Sequence, residues 1–125
     1  MKTVVQILSI ISALAIGAIQ AIAQEWNTQP EDERLNRADL QAELKGNTLV
    51  YEGGQKSIFN SDGTYEFVVE GQTYQYYYEF TEEGEVCITS AEFGTRCDLL
   101  VLNGADYISI NDKGERYKAS LVQGE

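Results

Sequence analysis

Three features of the sequence predict a mainly β fold: a small antiparallel β-barrel or two-layer meander of about eight strands, led by one short helix. From residue 48 onward, short segments rich in Tyr, Phe, Val and Ile alternate with polar turns. Three of those turns share one form: FNSDGTY at 59–65, FTEEGEV at 80–86 and INDKGER at 110–116. Each places a glycine where a residue with positive φ closes a hairpin with a bulge. The one helical pattern, NRADLQAELKGN from Asn36, has room for about two turns only.

The elements follow in order. The chain of 125 residues opens with Lys2, an uncharged apolar run from Val4 to Ala18, and the small residues Ala21-Ile22-Ala23. This reads as a signal peptide over 1–23; the run is short for a membrane span, which needs about 20 apolar residues. A periplasmic or secreted protein is expected, with no membrane attachment after cleavage. Residues 24–35 are polar and acidic and hold the only proline, Pro30, so they read as a polar tether. Residues 36–125 then form a single domain. In its leading helix Asn36 caps, Asp39 sits in the first turn, Leu40 and Leu44 share a face, and Lys45-Gly46 closes the end. So short a helix is not stable alone and has to dock.

Strands are expected at 48–52, 56–60, 64–70, 73–80, 85–90, 96–102, 107–111 and 115–121. Gly71-Gln72 reads as a two-residue turn, pairing Val69 with Tyr74, Phe67 with Tyr76 and Tyr65 with Tyr78. Alternation then puts Tyr65, Tyr74, Tyr76, Tyr78 and Phe80 on one inward face, and leaves Tyr77 alone among polar neighbours outside. Later strands contribute Val86 and Ile88, one of the pairs Leu99/Val101 or Leu100/Leu102, then Ile108 and Ile110, then Tyr117, Ala119 and Leu121.

Charge and composition narrow the function. The formal net charge of −11 becomes −12 once Lys2 is removed, which disfavours nucleic acid and anionic lipid. It steers a basic partner instead. Without any histidine, nucleophile–histidine catalysis is excluded. The two cysteines, Cys87 and Cys97, read as a disulfide in an oxidising compartment, worth roughly 3 kcal/mol. No metal site or other cofactor is indicated. Asn60, Asp62 and Glu66 offer part of a calcium loop, but Asp-Gly turns yield the same letters. Glu66 and Glu79 are neighbouring carboxylates in the expected register, on the outer polar face where acids are ordinarily solvated. Arg96 suits a carboxylate, most simply a nearby acid.

From the helix onward, LKGNTLVY at 44–51, FNSDGTY at 59–65, Cys87 with Cys97, and YKASLVQG at 117–124 resemble small exported proteobacterial β-sheet proteins of a domain-of-unknown-function family. The resemblance implies a compact antiparallel β fold and export, and brings no activity with it. The tryptophan expected in a central strand of that family is replaced here by tyrosines, and the only tryptophan is Trp26.

The expected function is that of a monomeric, non-catalytic binding module, an acidic barrel recognising a protein partner, a basic one by preference, in the manner of an inhibitor. The alternative is a calycin-like carrier with a small ligand on Tyr65, Tyr74, Tyr76 and Tyr78, with Tyr77 as a further contact. A carboxylate-based hydrolase ranks below both.

Overall fold

The computed structural model describes residues 25–125, so the expected signal peptide lies outside the described residues. Among the described residues no helix is long and apolar enough to cross a membrane. The elements are β1 (Glu33–Arg34), α1 (Arg37–Leu44), β2 (Asn47–Tyr51), β3 (Lys56–Phe59), β4 (Thr64–Val69), β5 (Gln72–Phe80), β6 (Glu85–Ser90), β7 (Gly94–Asn103), β8 (Asp106–Ile110) and β9 (Arg116–Gln123). Each strand from β2 to β9 pairs antiparallel with the next, and β9 returns to β2. The sheet is therefore a closed eight-strand barrel, whose inner face encloses the core.

The recurring glycine turns do what their spelling predicts. Gly63, Gly84 and Gly114 have φ of 95°, 96° and 84°. Each donates its N–H to the carbonyl of the residue opening its turn, Asn60, Thr81 or Asn111. Asp62 Oδ1 is occupied by the backbone N–H and hydroxyl of Thr64, which is turn chemistry.

The β4–β5 hairpin corrects the expected register. Val69 pairs with Gln72, Phe67 with Tyr74 and Tyr65 with Tyr76, so the two-residue turn is Glu70-Gly71. Both have positive φ, 50° and 78°, the turn whose twist matches the flanking strands. Two residues of slip preserve the faces, because side chains alternate with period two. Glu66 now faces Gln75, and Glu79 lies four residues further along β5, roughly 13 Å away. The two carboxylates are not the neighbours that the expected register made them. Glu70 is the only non-glycine residue with positive φ among the described residues, at a cost of about 1 kcal/mol. Glu70→Asn is expected to raise the melting temperature by roughly 4–8 °C, measured by thermal denaturation.

Helix α1 closes one end. Asn36 Oδ1 accepts from Asp39 N at 2.8 Å and the Asp39 carboxylate accepts from Asn36 N at 3.0 Å, a reciprocal cap. Leu40 and Leu44 are wholly buried in the barrel core, about 2 kcal/mol each. Arg37 donates to the Phe80 carbonyl and Tyr107 donates to Glu43, tying the helix to two strand ends. Burial and the Glu43 carboxylate push the Tyr107 hydroxyl up to about 12. Above the helix, the Phe59 ring packs against Tyr65, Tyr78 and Phe80 at centroid distances of 5.3, 5.2 and 5.9 Å.

Residues 25–35, read as a tether, are instead a strap on the outside of the barrel. Glu33 and Arg34 pair with Leu102 and Val101, on the edge of β7 that β6 has left. Trp26 packs on an outer cluster of Leu99, Val101, Ile108 and Ile110. The DLLVL run is apolar on both faces for this reason: Leu100 and Leu102 point inward while Leu99 and Val101 lie under the strap. Ile108 and Ile110 likewise lie outside, and Tyr107 and Ser109 take the inner positions of β8. Elsewhere the outer wall carries Lys56, Glu66, Gln75 and Glu79, and the apolar part of the interior lies toward the helix end.

Candidate functional site at the open end of the barrel

Among the described residues, no helix lies over the end opposite α1. Four turns surround it, at 52–55, 70–71, 91–93 and 111–115, and bring together side chains far apart in sequence. Tyr74, Phe93 and Tyr117 stand 43%, 47% and 48% exposed. Tyr76 links this rim to the interior. Its ring stacks on Tyr65 at 6.3 Å and meets Phe93 edge-on at 5.3 Å.

Below the rim the interior turns polar. The Ser57 and Tyr65 hydroxyls are 2.6 Å apart, and Tyr51 approaches Ser57 at 3.3 Å. Arg96 and Asp98 alternate with Leu100 on β7, and their side chains pair at 2.8 Å. Burial raises Tyr51, Tyr65 and Asp98 alike, and for Asp98 it outweighs the nearby Arg96. Asp98, Ser57, Ser109 and the two tyrosines line a void of about 40 Å³. That is room for about one to three waters, whereas a small-molecule pocket needs roughly 300 Å³ or more. The void among these polar groups is therefore of water size.

A second space opens through the wall. β7 pairs with β8 only from Leu99 onward, because β8 ends at Ile110 and the chain turns away at Asn111. Between Thr95–Asp98 and the 111–113 turn lies an open cleft of about 520 Å³, with Trp26 at one side and Arg96, Asp98 and Lys113 around it. Cys97 lines it as well. The Cys87–Cys97 disulfide joins directly opposed residues on the outer face of β6 and β7. Glu85 lies beside the two sulfurs, but a disulfide offers no thiolate to a metal.

The tyrosines expected to share one surface are distributed along the barrel axis. Tyr78 is buried near the helix end and donates to the Asn60 carbonyl. Tyr65 is buried at mid-height, Tyr76 is half-buried, and Tyr74 sits on the rim with its hydroxyl on Gln72. Tyr77 points outward, 66% exposed, between Thr64 and Thr89. The open end thus gathers Tyr74, Tyr76 and, beneath them, Tyr65; it does not include Tyr77 or Tyr78. No family model, curated protein or solved structure matches this chain.

Phe93, Tyr117, Tyr51 and Asp98 complete the site; of these only Tyr117 was expected to face inward, and only barrel closure brings their strands to one end. Asp98 is testable through pH. Its folded pKa lies above the unfolded value, so its favourable contribution is complete below about pH 4 and is lost as pH rises through the folded value. Asp98→Asn is expected to flatten the dependence of stability on pH above about 4, with no loss of stability at pH 7, measured by urea denaturation across pH.

Proposed function

We propose that this protein is an exported, non-catalytic binding module that recognises a protein partner, preferentially a basic one, with the open end of its barrel. The observation that carries this reading is a rim of half-exposed aromatic side chains, Tyr74, Phe93 and Tyr117, above a void of only about 40 Å³. Aromatic anchors supply large contact area for little conformational entropy, and such residues dominate binding energy at protein interfaces. A carrier would enclose its ligand, and the space below the rim is of water size. Glu66 and Glu79 are too far apart to act as the paired carboxylates of a glycosidase, which stand about 5–9.5 Å apart. The formal charge of −12 without Lys2 supports a cationic partner, and the disulfide fits a periplasmic or secreted setting.

Calorimetric titration with a small basic protein tests the reading. Binding is expected at low ionic strength, about tenfold weaker or more at high salt. Phe93→Ala or Tyr74→Ala should weaken it by a further tenfold or more at constant fold. An acidic protein of similar size that binds equally well, or rim variants that bind like the wild type, would overturn the assignment.

A further inference from the structure

Strand β5 overhangs its neighbour by five residues, as β7 overhangs β8 at 94–98. β5 pairs with β4 over Gln72–Tyr77 but with β6 only over Tyr77–Phe80. The cause is local: β6 ends at Ser90, whose hydroxyl accepts from the backbone N–H of Glu92 at 2.9 Å as the chain turns into β7, and its pairing with β5 stops at Thr89. Among the described residues, no strand therefore lies beside residues 72–76 of β5 on that side. In the β4 ladder a two-residue turn makes Val69–Gln72 a hydrogen-bonded pair, and the alternation continues to Phe67–Tyr74 and Tyr65–Tyr76. The N–H and C=O groups of Thr73 and Gln75 consequently point out of the open edge.

Among the described residues, this edge carries none of the usual protection. Exposed edges are ordinarily blunted by lysine, proline, a bulge or a covering segment. Gln72-Thr73-Tyr74-Gln75-Tyr76-Tyr77 has no charge, proline or glycine and is rich in strand-forming residues. Its sides differ. Tyr74 and Tyr76, with Phe93 against Tyr76, form an aromatic wall, and Thr73, Gln75 and Tyr77 form the other side. The charged residues on β4, its turn, β5 and the facing 91–93 loop are Glu66, Glu70, Glu79 and Glu92, all acidic.

We propose that the open edge of β5 takes an extended, basic segment of a partner protein as an added β-strand, held by the backbone groups of Thr73 and Gln75. This rests on the reading of the protein as a binder of basic protein and names how one segment docks. Alternate guest residues fall on the two sides of the sheet. Apolar ones meet Tyr74, Tyr76 and Phe93, and Lys or Arg ones meet the acidic flank. Main-chain bonds supply affinity and the alternating side chains supply selectivity, as in other strand additions. A second copy of this chain is the less favoured occupant, because it would set an equally acidic edge against this one.

The test uses the mature protein and a ten-residue peptide of alternating Lys and Val. Amide exchange of Thr73 and Gln75 is followed by NMR. The Lys–Val peptide is expected to slow both amides at least tenfold. A Glu–Val peptide, and a Lys–Val peptide N-methylated at alternate residues, should not. Gln75→Pro, which removes one of the N–H groups, should weaken the peptide at least tenfold; Thr73→Lys, placing a cation on the edge without touching the core, does the same should the proline variant not fold. Binding of the Lys–Val peptide without protection of these amides, or equal binding by either control peptide, would overturn the proposal. So would protection that grows with protein concentration in the absence of peptide, which would mark a second copy on the edge. A basic protein that binds the rim while both amides exchange freely removes the edge proposal alone; failure of every basic probe removes both readings.

Discussion

Asp32→Ala is expected to cost about 3–5 kcal/mol, lowering the melting temperature by roughly 4–8 °C for each kcal/mol. Asp32 holds the strap down. Its buried carboxylate takes both guanidinium nitrogens of Arg116, at 2.8 and 2.9 Å, together with Gln29 N at 2.7 Å and Asn103 Nδ2 at 3.0 Å. The Arg116 side chain is itself only 15% exposed, so truncating Asp32 strands a largely buried cation. It also frees Trp26 to lift from Leu99, Val101, Ile108 and Ile110. The Arg116 bonds hold the Asp32 carboxyl well below the usual carboxylate range. With a depressed folded pKa, this contribution is present above about pH 4 and lost as pH falls through the folded value. The wild type is therefore expected to lose strap docking only in strong acid, and Asp32→Ala to lack that transition. Circular dichroism and Trp26 fluorescence across pH report both. A double replacement of Asp32 and Arg116 by apolar residues should recover much of the loss, since removal of a whole buried pair is far cheaper than removal of one partner.

The strap was illegible in the sequence for a physical reason. QEWNTQPEDER has no period and little apolar surface, and its order comes from distant residues: Arg116, Asn103, and the carbonyl of Gly114, which accepts from Asn27. The trace it left lay elsewhere, in a DLLVL run apolar on both faces, which implies a second covering layer. The helix was legible because its signals are local, Asn36 and Asp39 for the cap and Leu40 and Leu44 for the buried face. Strands and bulged turns were legible for the same reason.

Register and site were harder. VEGQ offers two possible two-residue turns, Gly71-Gln72 and Glu70-Gly71, both of the mirror type that fits the sheet twist, so turn chemistry alone does not choose; the chain takes the one that strains Glu70. Period-two alternation correctly put Tyr74, Tyr76 and Tyr78 on one face, but it has no information on height along the barrel axis. Height decides which ring is core and which is rim: Tyr78 meets Phe59, whereas Tyr74 meets solvent. Likewise Phe93 and Tyr117 belong to different hairpins, and a pattern read along one strand at a time cannot put them at one opening. Tyr77 was singled out for its exposure, and the structure leaves it between two threonines at the point where β6 stops pairing.

Phe59→Ala is the other large expected effect, about 3–5 kcal/mol, and it addresses what the barrel interior is for. Phe59 is 2% exposed and its ring touches three other aromatic rings. It also borders the void of about 40 Å³. Truncation therefore joins a new cavity to an old one, and the combined space, apolar below and lined by Ser57 and the tyrosine hydroxyls above, becomes large enough for a small aromatic molecule. The wild type should show no saturable binding of phenol, while Phe59→Ala should bind it and regain part of its lost stability, through the linkage by which any ligand of the folded state stabilises it. Phe59→Leu, which leaves a smaller hole, should cost less and bind more weakly. Thermal denaturation with and without phenol separates the cases. A wild-type barrel that gained stability from phenol to the same degree as the variant would mean that the tyrosine-lined interior already accepts ligands, and the weight would move from the rim to the carrier reading.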